Sequence, residues 1–180
     1  MKVASQKIAP FLWFDKQAEE AMRFYVSVFS GAPGKNSDSR IISISRYPNG
    51  PLDGPMKGME GKVINGTFEL AGQRFMALDG GPMFKFTEAL SLFLDCASQE
   101  EVDYFWEKLS AVPEAEQCGW LKDKYGLSWQ IIPSIIGELM SDPDPEKSGR
   151  VMQAILQMKK IDVAGLKRAY EGGGTPAGRL

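Results

Sequence analysis

The residues best suited to chemistry in this chain lie in one stretch, CGWLKDKYGLSWQIIP, residues 118–133. Two β-type runs, 119–122 and 127–132, flank a charged turn ending at Gly126, where a positive φ carries no steric cost. Trp129 and Gln130 are neighbours on one strand and so point to opposite faces of whatever sheet contains them. An amide beside Trp120 and Trp129 can orient a ligand carbonyl or satisfy buried backbone groups, and the stretch alone is compatible with both. The chain has no histidine, which excludes Ser-His-Asp and Cys-His catalysis within one chain and removes the commonest transition-metal ligand. Cys96 and Cys118 lack CxxC spacing and read as reduced structural thiols. Gly80-Gly81-Pro82 lacks both the GxGxxG pattern and a Walker lysine, so it is not a phosphate loop.

The elements that must hold these residues occur twice. LAGQRFMAL, residues 70–78, repeats the turn-glycine-then-strand pattern, and superposing Gly72 on Gly126 brings Phe75 onto Trp129 and Met76 onto Gln130. Leu12-Trp13-Phe14-Asp15 followed by Ala18-Glu19-Glu20 resembles Leu92-Phe93-Leu94-Asp95 followed by Gln99-Glu100-Glu101. Each half therefore reads strand, helix, strands, and an internal repeat of this kind decides the architecture. The apolar spacing of Ala18, Ala21, Met22, Tyr25 and Phe29 predicts a helix with Asp15 as its cap; Ser98 opens the matching helix, with Val102, Phe105, Trp106 and Leu109 as its stripe. Residues 48–61, rich in Gly and Pro, form a loop, read as a surface excursion or a lid. Lys122, Asp123 and Lys124 read as a solvated turn, and Asp79 as a turn former. After Pro133 come helices, with Asp142-Pro143 as a cap and first-turn proline and Asp162 opening a last helix to Tyr170. The expected layout is one compact domain with a first βαβββ module over 1–82, a shorter second module over 83–133, helices over 134–171 and a disordered Gly-rich tail over 172–180. The fold class is α+β.

Composition narrows the partners. With 43% hydrophobic and 24% charged residues over 180 positions the chain can bury a substantial core. A formal net charge of −2 without a basic cluster argues against nucleic acid. No run approaches the roughly 18 apolar residues of a membrane span, and the start lacks the apolar core of a signal peptide, so a cytoplasmic protein is expected.

The strings PFLWFDKQAEEAMRFYVSVF, FELAGQRFMALDGGPMFKFTEALSLFLDC and QCGWLKDKYGLSWQIIP, with the DPDPEK and MQAILQMKKIDVAGLKRAY tail, resemble the PhnB-like family. Its members carry the name 3-demethylubiquinone-9 3-methyltransferase domain and belong to the glyoxalase, bleomycin-resistance and dioxygenase superfamily of vicinal oxygen chelate proteins. The resemblance implies two βαβββ modules whose sheets curl around a cavity, in a homodimer. It implies cavity positions on the first and last strand of each module, here Ile8, Met76, Glu88 and Gln130. An alkyl chain, a thioether, a carboxylate and an amide do not form a Zn²⁺, Fe²⁺ or Ni²⁺ site, so neither metal nor other cofactor is expected. Glu88, if desolvated, would have a raised pKa and act as general acid or base, while a rim position would leave it bonded to backbone or lysine. Trp13, Phe75, Phe84, Phe86, Trp120 and Trp129, with Met76 and Gln130, would line a pocket for a small apolar or aromatic molecule, although such aromatics also serve as core. The alternatives are a metal-dependent lyase or dioxygenase of the superfamily, and the methyltransferase of the family name. The usual S-adenosylmethionine fold, however, needs a parallel α/β sheet with a glycine-rich first turn, and this pattern predicts neither.

Overall fold

Hydrophobic alternation and helical periodicity resolve into seven strands and five α-helices in the computed structural model, which describes residues 7–34 and 38–173. The tail from 174 onward lies outside the described residues. The chain divides into two compact units, with the break after Phe86.

The first unit contains β1 (Phe11–Phe14), α1 (Ala18–Ser30), β2 (Arg40–Arg46), β3 (Val63–Leu70) and β4 (Gln73–Asp79). Its four strands run in the order β1-β4-β3-β2. β1 lies parallel to β4, and the other pairs are antiparallel. Ala71 and Gly72 both have positive φ, as the tight turn between β3 and β4 requires. Helix α1 packs on one face of this sheet. Met22 seats over Gly66, where a methyl group would collide with its sulfur, and Tyr25 stacks on Phe68. The loop between β2 and β3 is pinned by buried Met59 and by Glu60, whose carboxylate accepts the N–H groups of Leu52 and Gly58.

The second unit contains β5 (Ser91–Cys96), α2 (Gln99–Leu109), β6 (Trp120–Lys122), β7 (Ser128–Pro133), α3 (Ile135–Met140), α4 (Pro145–Leu156) and α5 (Val163–Tyr170). Its strand order, β5-β7-β6, again places a parallel pair beside an antiparallel one. The repeat is thus real but unequal, because nothing among the described residues of the second unit corresponds to β2. Between α2 and β6 the chain makes a short 3₁₀ turn over Pro113–Ala115 instead. Pro113 has no N–H for a ladder, and few residues remain to form a strand.

The C-terminal helices bury their stripe against one another through Leu139, Val151, Ala154, Ile161, Leu166 and Ala169. Backbone bonds from Cys118 and Gly119 to the carbonyls of Met158 and Lys159 tie them to the entry of β6. Arg150 closes the end of α5 by donating to the carbonyls of Ala169 and Tyr170.

Two expected caps are corrected. Asp15 does not cap α1; the residue before the helix is Gln17, without a side-chain bond, and the N–H of Ala18 is taken by Asp79 at 2.7 Å. In the DPDP run the helix begins one repeat later, with Asp144 as cap and Pro145 in the first turn. Asp142 accepts the N–H of Asp144 and the hydroxyl of Tyr170. The caps at Ser98 and Asp162 are present, accepting from Glu101 and Ala164.

Candidate functional site

Strand parity decides which residues each sheet can offer a ligand. In the first unit, the residues beside α1 are buried, among them Leu12, Phe14, Phe68, Phe75 and Ala77. The opposite face carries Phe11 beside Met76, and Trp13 beside Leu78, in register. In the second unit the face packed by α2 holds Leu121, Trp129 and Ile131. The other face carries Phe93, Gln130 and Trp120 in one row across the three strands, and Ser91, Ser128 and Lys122 in the next. Because Met76 and Gln130 are equivalent, register equates Phe11 with Phe93. Both rings remain open to solvent, at 52% and 62% exposure.

The expected site residues therefore separate. Trp13, Met76, Trp120 and Gln130 stand on the open faces. Phe84 packs edge-on against Trp13 with ring centroids 4.9 Å apart. Phe75 and Trp129 are corrected to core residues: Phe75 stacks on Phe68, and Trp129 is fully enclosed with its indole N–H donated to Asp123 at 2.8 Å. Phe86 lies edge-on to Phe14, itself a core residue. Ile8 lies before β1, and Glu88 before β5.

Trp13 is held from three sides. Its indole N–H donates to the carbonyl of Gly81 at 2.9 Å, and Phe84 covers an edge. Gly80 passes so close that any β-carbon would overlap the indole. The Gly-Gly pair is thus explained by close approach to a ring and by the positive φ of Gly81.

Gln130 donates from its amide nitrogen to Ser91 Oγ at 2.8 Å, a bond across the open face that fixes the side chain. Glu88 is paired with Lys122, and this ammonium, with the Glu88 backbone N–H, holds its carboxyl below the usual range. Of the two readings of Glu88, the structure has the rim one: the carboxylate is exposed and bonded to lysine, and its pKa is lowered, not raised as in a desolvated site.

Two buried carboxylates escaped sequence reasoning. Asp79 ends β4 and accepts the N–H groups of Ala18 and Val63, locking the starts of α1 and β3 together. Asp123, expected in a solvated turn, is buried and accepts from Tyr125 N, Leu127 N and Trp129 Nε1. Its burial follows from those three donors, which replace the water a lone charge would need. Phe11, Phe93 and Lys122 were also missed as face residues; counting back from Gly126 would have placed Lys122, whereas Phe11 and Phe93 depend on long-range parallel pairing that no local pattern records.

The side chains on the open faces are poor ligands for a divalent cation. Met76 and Gln130 face phenylalanines in register, and among the described residues no three of His, Cys, Asp and Glu gather closely enough to hold an ion. A thioether, an amide and two phenyl rings do not fit a divalent metal. Two other clefts are open to solvent. One, of about 460 Å³, is lined by Lys16, Arg23, Arg46 and Lys62 with Glu19 and Glu20; the other, of about 540 Å³, lies between α4 and the end of α5. Neither contains a residue expected from the sequence to bind ligand. No helix among the described residues is long and apolar enough to cross a membrane.

Comparison with known proteins agrees with this geometry. The family model described as 3-demethylubiquinone-9 3-methyltransferase matches residues 6–132, ending just before α3. A solved PhnB protein from Bacillus cereus is 44% identical, over 69% of this chain and 97% of that one, with a TM-score of 0.54. A protein from Pseudomonas aeruginosa, 18% identical over 69% of this chain and 95% of its own, shares the fold with a TM-score of 0.51. No curated protein matches the chain. The glyoxalase and bleomycin-resistance type of fold, the repeated sheets and the matched span together place this chain in the 3-demethylubiquinone-9 3-methyltransferase, or PhnB-like, family.

Proposed function

We propose that this protein binds a small apolar or aromatic molecule on the sheet faces turned away from its helices, as a cytoplasmic homodimer that uses no metal. One observation carries the reading: the equivalent positions Phe11 and Phe93 leave large rings in solvent on the faces that bear Trp13, Met76, Trp120 and Gln130. Aromatic side chains exposed beside a few fixed polar groups are the usual composition of a small-molecule site. The second copy would screen outer apolar residues such as Met83, which is 71% exposed. Titration with a neutral aromatic, naphthylmethanol, followed by calorimetry tests the reading. Phe93→Ala should weaken binding about tenfold, because a buried phenyl contributes roughly 1.5–3 kcal/mol. Unchanged binding in both Phe11→Ala and Phe93→Ala would refute it.

A further inference from the structure

Resting on that reading, we propose that the open face of the second unit selects planar aromatic carboxylates, the ligand's carboxylate taking the place that Glu88 holds on Lys122. The strand register sets two unlike rows side by side. Phe93, Gln130 and Trp120 form an aromatic row with an amide at its centre, while Ser91, the buried Ser128 and Lys122 form a polar row ending in a cation. Successive rows on one face of a strand are about 7 Å apart, a distance that a fused two-ring acid bridges. A ring laid over the first row therefore directs an attached carboxylate toward the second.

The ion pair is asymmetric in the sense the exchange requires. The Lys122 side chain is 24% exposed, and that of Glu88 is 66% exposed. Glu88 stands outside the strands, in the turn closed by the Leu90 N–H to Thr87 carbonyl bond, so it returns to water at little cost. Lys122 is fixed in β6 and keeps an anionic partner throughout. Asp95, two positions beyond Phe93 on the same strand, accepts from Ser134, and Lys124 lies over the ring of Tyr125. In the first unit Met76 stands where Gln130 does, and the cation of the neighbouring row is Arg74, in register with Glu69.

Calorimetry of the full chain at low ionic strength, with naphthoate and naphthylmethanol as probes, decides the matter. The wild type should prefer the acid. Glu88→Gln should tighten naphthoate by about threefold and leave the alcohol unchanged, since it removes the competing carboxylate. Lys122→Met should abolish the preference for the acid, and Lys122→Arg should restore it. If the alcohol binds but Glu88→Gln fails to tighten naphthoate, the carboxylate site is refuted while the sheet-face reading stands. If neither probe binds, both fall.

Discussion

The two sheets are built alike and furnished differently. Each pairs its first strand in parallel with its last, buries one face under a helix, and leaves a phenylalanine exposed at the equivalent place on the other, Phe11 or Phe93. On that shared plan the first unit presents Met76 and a clamped Trp13, and the second a bonded Gln130 and a lysine paired to a carboxylate. Each is also braced by one buried aspartate, but from different places: Asp79 joins the starts of a helix and a strand, and Asp123 holds a turn and an indole. The architecture is thus repeated while the chemistry is not. Parity fixes which residues face outward, and single substitutions at those positions set the chemistry that each face presents.

The comparison is most easily broken at its buried members. Trp129→Ala should destabilise the protein by about 4 kcal/mol in urea denaturation, because it opens a large cavity and leaves Asp123 without one of its donors. Asp79→Ala should cost about 3 kcal/mol in the same assay, since two backbone N–H groups lose their acceptor. Gly80→Ala should cost about 2 kcal/mol and shift the Trp13 indole resonance, an effect with no counterpart in the second unit. Exchanging Gln130→Met gives the second face the residue of the first. It should cost only about 1 kcal/mol through the lost bond to Ser91, yet alter the ligand preference measured by calorimetry.

The smallest effect depends on pH. Burial, with Glu101 and Asp95 nearby, pushes the Cys96 thiol up to about 12. An unfolded thiol ionises near 8.5, so the contribution of the protonated form is complete below that pH and is lost as pH rises toward 12. The alkaline decline in stability should therefore be shallower in Cys96→Val. At neutral pH a thiol reagent should modify Cys96 only after unfolding.

Much of this was legible in the sequence because strands count in twos. Superposing Gly72 on Gly126 correctly assigned Phe75 with Trp129 to one face and Met76 with Gln130 to the other. The matching of the first strands was off by two residues, since Phe11 rather than Trp13 corresponds to Phe93, but an even error preserves the faces. Parity alone could not tell which face the helix covers, so Phe75 and Trp129 were expected in a pocket. The roles of Asp79 and Asp123 were illegible for another reason. A carboxylate that accepts from a backbone 61 residues away leaves no local pattern, and Asp123 resembles any charged turn residue until its three donors are placed. The DPDP run offers two equivalent phases for a helix start; the structure takes the second, and Asp142 instead accepts the hydroxyl of Tyr170.

The most direct test of the account is an indole N–H spectrum of the protein titrated with naphthylmethanol, since the chain has 4 tryptophans. Trp13 and Trp120 stand on the open faces, and Trp129 lies beneath the sheet as an internal control. The account expects the Trp120 resonance, and that of Trp13 where the first face also binds, to move in a saturable way while Trp129 stays fixed. Movement of Trp129 alone, or of none of the four, would contradict it.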